Sequence, residues 1–178
     1  MIWVTRDFVH IDRVASPWLI KRFVDKRAQF VFLPRSEISD FAEKTGAIPF
    51  DTAVIGVELD HHVCNNEKHC TFDAIVEKFK LETDEALQRV RKIVRAADTG
   101  KIEEEPLAWA LEVIAVGIPL LVDSDHEALE KEFPVYDAVY AYFQQQIIRE
   151  KFKEEIAKMN SRGEMQSFIK KKLLNYNK

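Results

Sequence analysis

The segment Glu58–Cys70 (ELDHHVCNNEKHC) holds three of the five histidines, both cysteines and three acidic residues. Imidazole, thiolate and carboxylate are the side chains that bind zinc, iron or manganese, so their clustering points to a metal centre. On a strand, Glu58, Asp60 and His62 share one face and His61 points to the other. At a strand end the chain bends, and adjacent histidines can both reach an ion. The ligands expected for a divalent ion (zinc, manganese or iron) are Glu58, His61, His62, Asp98 and His126. Cys64 and His69 fall in the polar run VCNNEKH and are expected to face solvent. Cys70 opens a helix, whose dipole favours a thiolate; the plain alternative is a small buried apolar side chain. A zinc finger built on Cys64 and Cys70 lacks the usual CxxC spacing.

Further acids sit where elements end. Asp12 precedes a helix, Asp51 follows a strand, Asp98 closes a helix and Asp125-His126 opens another. Alone, each is a cap or a turn residue. Together they can complete a coordination sphere, because ligands on separate element ends converge in α/β folds. The expected catalytic set is Asp12 or Asp73 as general base, with Arg13 as a fixed cation for an anionic substrate. The plain reading of Arg13 is a surface ion pair.

Positioning these residues requires an α/β fold: a small N-terminal sheet with helices, followed by an all-helical C-terminal half, in a single compact domain. Ile2–Arg6 and Ala28–Leu33 read as strands, rich in β-branched and aromatic side chains. Ile11–Asp25 has helical spacing, and Pro17 predicts a helix that starts with Ser16 as its cap. Ser36–Lys44 predicts a short helix stopped by Gly46. Ala47–Asp51 and Val54–His62 read as extended segments, with a tight turn at Gly56. Beyond Cys70 the periodicity is helical over Thr71–Leu81 and Thr83–Ala97, with Thr83 as cap. Leu107–Val122 reads as a buried helix. Asp125–Phe133 and Val135–Lys158 follow, interrupted by Pro134, and Gly163 precedes a last amphipathic helix, Glu164–Tyr176.

With 178 residues, 47% of them apolar, the chain suits one globular domain, and two cysteines cannot form a disulfide framework. The expected setting is therefore reduced and cytoplasmic, with no signal peptide over Met1–Asp12 and no membrane span, since Glu112, Gly117 and Pro119 interrupt the longest apolar stretch. The net charge of −4 is uneven. Residues 147–178 carry nine Lys or Arg and four Asp or Glu, net +5, which leaves −9 on the first 146 residues. This tail reads as a solvated helix; its dense basic run is only Lys170-Lys171-Lys172, so nucleic acid is not the leading partner. The expected domain plan is 1–146, with an α/β part at 1–62 and a helical part at 70–146, followed by a basic helical extension at 147–178.

The runs IDRVASPWLIKRFVD, FD at Phe50-Asp51, GVELDHH, CTFDAIVEKF, RAADT and DSDHEALEKEFPVYDAVYAY resemble the chromate-resistance ChrB-type domain, in order, over Trp3 to Tyr142. That resemblance implies shared polar positions at Asp12, Arg13, Glu58, His61, His62, Cys70, Asp73, Asp98, His126, Tyr136 and Asp137. His10, Cys64 and His69 fall outside it, and VCNNEKH is longer than the family's usual loop. Full-length members can carry an extra N-terminal regulatory region, which this chain is expected to lack. More loosely, Asp60-His61-His62 resembles the manganese motif of DHH phosphoesterases, with His10, Asp12 and Asp51 in the supporting positions.

The function expected is that of a chromate-resistance-associated metal-binding protein, read either as a metal-dependent hydrolase of an anionic substrate or as an oxyanion- or metal-sensing module without catalysis. A scaffold with a structural metal is the plain third reading. The partners expected are a small anion or metal ion and, in some state, a second copy of the chain.

Overall fold

The computed structural model describes residues 1–54 and 56–176; Ile55, within the expected extended segment Val54–His62, and the last two residues of the basic tail lie outside them. Strand β1 (Ile2–Arg6) is central, paired in parallel with β2 (Gln29–Leu33) on one side and β3 (Ile48–Pro49) on the other. Helix α1 (Asp12–Leu19) leads from β1 to β2, and α2 (Ile38–Thr45) from β2 to β3. Gly46 ends α2 at φ 72°, in the left-handed region the sequence requires of it. The order β2-β1-β3 reverses the winding direction between β1 and β3, and ligands of open parallel sheets bind at the carboxyl ends of such a pair.

Helix α1 starts earlier than expected, and Pro17 lies inside it. Turns closed by Arg13 N–H on His10 C=O and Ala15 N–H on Ile11 C=O start the helix before Ser16 is reached. Pro17 then removes one bond to the Arg13 carbonyl, a cost of about 3 kcal/mol. Full burial of Val14, Trp18 and Leu19 offsets it at roughly 1.5–3 kcal/mol each. The chain continues through a wider turn, Ile20–Val24, closed by Asp25 N–H on Ile20 C=O.

After β3 come an antiparallel hairpin, β4 (His62–Cys64) and β5 (Glu67–His69), and the helices α3 (Thr71–Lys78) and α4 (Glu85–Asp98). Asp84, rather than Thr83, caps α4 by accepting the Leu87 N–H at 2.8 Å. Helix α5 (Pro106–Gly117) buries only a narrow stripe of Ala108, Leu111 and Ala115. Trp109, Val113 and Val116 stand exposed, as do Leu120 and Leu121 beyond it, which corrects the expectation of a buried helix. A helix apolar on every side gives no periodic signal of which side is covered. Helix α6 (Asp125–Lys151) runs through Pro134 without a break, packed on both α1 and α4. The short α7 (Lys153–Ile156) leads to α8 (Arg162–Tyr176), which folds back on α6. There the Phe152 and Phe168 rings meet at 5.7 Å, and Lys172 sits 3.8 Å above the Phe152 ring. No helix among the described residues is long and apolar enough to cross a membrane.

Trp18 joins the halves. Its ring packs on Phe72, Tyr136 and Tyr140, and its indole N–H donates to Asp137 at 2.8 Å, where Arg22 also binds. Tyr140 O–H in turn donates to Asp84 at 2.6 Å. Asp84 therefore serves both the cap of α4 and the α4–α6 contact. Asp84→Ala is expected to lower unfolding free energy by about 2 kcal/mol and Tyr140→Phe by about 1 kcal/mol, read by urea denaturation.

Candidate metal centre

Backbone geometry delivers the carboxylates to the carboxyl ends of β1 and β3. Asp12 is the first residue of α1 and is buried. Its carboxylate accepts the backbone N–H of Thr71 at 2.5 Å and of Phe72 at 3.1 Å, and the Ser16 hydroxyl at 3.2 Å. Asp12 is thus an acceptor for the first turn of α3 as well as part of the first turn of α1, and both helix dipoles favour negative charge there. Asp51 follows β3 with φ 45°, a left-handed backbone that aims its side chain inward. The turn is held by Asp60, which accepts from Thr52 N–H at 3.1 Å and Ala53 N–H at 2.7 Å. Asp98 closes α4 from the other side.

His61 stands among these three acids. Its Nε2 is 3.2 Å from Asp98 Oδ2, 3.5 Å from Asp51 Oδ1 and 3.7 Å from Asp12 Oδ2. The contact with Asp51, and then the charges of Asp98 and Asp12, outweigh partial burial and raise its pKa to about 9. Burial, then repulsion by Asp98 and Asp51, holds Asp12 well above the usual carboxylate range. Burial likewise raises Asp98 against the pull of His61. Burial opposes ionisation of Asp51 too, but His61, Arg13 and Arg6 outweigh it and keep its pKa low. Arg13 Nη1 donates to Asp51 at 3.0 Å and Arg6 Nε to the Asp51 carbonyl at 2.9 Å. An open cavity of about 470 Å³ adjoins the cluster, lined by Arg6, Asp51, Asp60 and His61 with Ala53, Val54, Gly56 and Val57.

Two ligand sets emerge here, Asp12–Asp51–His61 and Asp12–Cys70–Asp98, each with its donor atoms within 4.8 Å of one another. Among the described residues Asp98 Oδ2 is buried and has the charge of His61 beside it without a hydrogen bond, a place that a cation would also satisfy. Cys70 is buried, and burial followed by the charges of Asp12, Asp73 and Asp98 raises its thiol well above the ordinary value. Of the two readings of Cys70 the structure has the small buried side chain: burial first, and then the acids around the sulfur, outweigh the helix dipole.

Of the residues expected from sequence, the structure brings together Asp12, Arg13, His61 and Asp98, with Asp51 beside them. Glu58 lies on the surface, paired with Lys78 at 2.6 Å. His126 packs edge-on against Phe32, with centroids 5.1 Å apart. His62 belongs to the hairpin, where it meets His69 and Glu77. His69 is buried, not solvent-facing. Asp73 lies beside Cys70 as a positioning group: its carboxylate takes the Cys70 N–H at 2.9 Å, Arg95 at 2.6 Å and Arg91. Burial works against its charge, but the two arginines hold its pKa low. Among the described residues no ligand set contains both cysteines.

Sequence reasoning passed over Arg6 and Glu132; Tyr136, the partner of Glu132 on α6, entered only as a position that the family resemblance implies. Both members of that pair are buried, and Glu132 Oε1 and Tyr136 O–H have no hydrogen-bond partner. Burial raises Glu132 to about 7. Burial and the charges of Glu132, Asp12 and Asp98 raise Tyr136, which places the pair within electrostatic reach of the cluster. Their sequence signal is an acid in the apolar stripe Ala128, Glu132, Tyr136.

The family model for the ChrB C-terminal domain matches residues 3–143. Protein ChrB of Cupriavidus metallidurans is 27% identical over 143 residues, covering 79% of this chain and 40% of that protein. The chain thus spans less than half the length of the curated relative it matches. No solved structure matches.

Two titrations follow. In metal-free protein the His61 ring protons are expected to titrate near pH 9 by NMR; a midpoint at the ordinary 6.5 contradicts the acid cage. With a folded pKa above the unfolded one, His61 contributes stability in full below about pH 6.5, and the contribution disappears as pH rises through about 9. Glu132 has the same sign in a lower window: its raised pKa makes stability fall as pH rises from about 4.5 to about 7, here because a buried acid must ionise. Glu132→Gln is expected to stabilise the protein at pH 8 by up to about 3 kcal/mol and to change little at pH 4, read as the difference in Tm.

Proposed function

Because the chain belongs to the ChrB C-terminal domain family, we propose that it is a chromate-resistance metal-binding domain in which Asp12, Asp51, Asp98 and His61 hold one divalent cation. The observation that carries this reading is the convergence of three carboxylates on one imidazole, with the buried Asp98 Oδ2 facing that ring at 3.2 Å. Oxygen-rich donors with one imidazole suit manganese or iron, and Cys70 beside Asp12 and Asp98 adds a donor that zinc prefers. A bound ion there would neutralise the acids and polarise an oxyanion.

The cavity supplies a place for that oxyanion. With an ion loaded beside Asp51 and Asp60 on its wall, Arg6 favours a small anion there, and chromate is the one the family's name points to. Recognition of the anion at a loaded metal centre, as a sensing or binding step, is the function these groups support best. Hydrolysis of an anionic ester is the second reading, favoured by a cavity large enough for such a substrate. The proposed bases weigh against it: the Asp12 carboxylate is engaged by two backbone N–H groups and a hydroxyl, and Asp73 by two arginines. Neither is placed to take a proton in the cavity.

Elemental analysis of protein purified without a His tag tests the reading. Asp98→Asn and His61→Ala are each expected to hold one equivalent of divalent metal less than wild type. Chromate titrated into loaded protein should bind saturably, and at least about tenfold more weakly in Arg6→Ala. Unchanged metal content in both variants contradicts the metal centre. Turnover of a p-nitrophenyl phosphoester that disappears in Asp98→Asn selects the hydrolase instead.

A further inference from the structure

We propose a second, separate metal site on the β4–β5 hairpin, formed by His62, His69 and Glu77 and suited to zinc. His62 and His69 are directly opposed across the antiparallel pair, and their rings lie 5.0 Å apart. Glu77, on the last turns of α3, reaches both: Oε2 is 3.2 Å from His62 Nε2 and Oε1 is 3.2 Å from His69 Nδ1. The three donor atoms lie within 4.8 Å of one another. A tetrahedral ion with bonds of about 2.1 Å holds its ligand atoms about 3.4 Å apart, and the contact between Glu77 Oε2 and His62 Nε2 already has that spacing.

The surroundings fit the same role. His62 Nδ1 faces the Asp60 carbonyl at 3.4 Å, the partner that fixes a ligating imidazole with Nε2 turned to the ion. Arg91 pairs with Asp73 and with Glu77 Oε1, the oxygen beside His69, which fixes the glutamate and leaves Oε2 as its ligand atom. Two neutral imidazoles and one carboxylate match catalytic and labile zinc sites, whose remaining position is filled by water or ligand. Here Glu77 and His62 are each about one-third exposed, at 37% and 33%, so an entering ion meets solvent on one side while His69 closes the other. None of the three ligands belongs to the acid cluster around His61, and this site stands or falls apart from that one.

Cobalt(II) titration followed by visible absorption separates the two sites. His62→Ala and Glu77→Gln are each expected to lose one intense tetrahedral absorption and one equivalent of bound ion. Asp98→Asn is expected to retain that absorption. Zinc should also slow amide exchange in the 62–69 hairpin of the wild-type protein and leave it unchanged in Glu77→Gln. If both hairpin variants bind cobalt with wild-type stoichiometry and spectrum, and zinc leaves hairpin exchange untouched, the site does not exist. If Asp98→Asn alone loses an equivalent, the acid cluster is upheld and the hairpin site overturned.

Discussion

The Asp12 carboxylate, buried where α1 begins, accepts the first backbone N–H groups of α3. Those donors have no partner within their own helix, and burial shuts the carboxylate off from solvent, so each needs the other. The bond spans about sixty positions of sequence and fixes α3 against α1. Cys70 and Asp73, at the start of α3, take their places from it. The second fixed point is Asp125 at the start of α6, whose carboxylate accepts the Phe8 and Val9 N–H groups and holds the loop that leads into α1. Removing the Asp12 acceptor would therefore disturb packing and site together, whereas Asp98 touches the ligand cluster alone.

Once Asp12 is in place, the remaining constraint is charge. Asp51 and Asp98 arrive from other elements at the same point, and burial leaves little solvent to separate them. The structure answers with cations: His61 in the middle, Arg6 and Arg13 behind Asp51. The His61 proton is the member of this set that a divalent ion can replace directly. The same logic separates Asp73, which is neutralised outright by Arg91 and Arg95 and so holds α3 against α4.

The sequence was legible where one residue type carries one physical consequence. β1 and β2 showed in their β-branched and aromatic runs, and Gly46 marked the end of α2. His61 and Asp98 were visible as ligand types at element ends, and Asp12 as an acid before a helix. The failures share a cause, which is that tertiary packing decides between local alternatives. Pro17 and Pro134 look like breaks, yet buried faces on both sides carry the helices through them. Helix α5 is apolar all round, so its exposed side could not be read. Glu58 and His126 have the chemistry of ligands, but a bend and the start of α6 turn them to Lys78 and Phe32, while the hairpin carries His62 away from His61 to Glu77. Glu77 sits eight positions from His69, and nothing in a linear pattern announces that partnership.

On the proposed reading, His61 holds the place of a divalent cation among Asp12, Asp51 and Asp98. Proton release on metal binding measures it directly: zinc or manganese is titrated into His62→Ala protein near neutral pH, in two buffers of different ionisation enthalpy. About one proton should leave per ion bound, because an imidazolium must deprotonate to become a ligand. Stoichiometric binding with no proton released would show that His61 keeps its charge beside the ion, and would contradict the account.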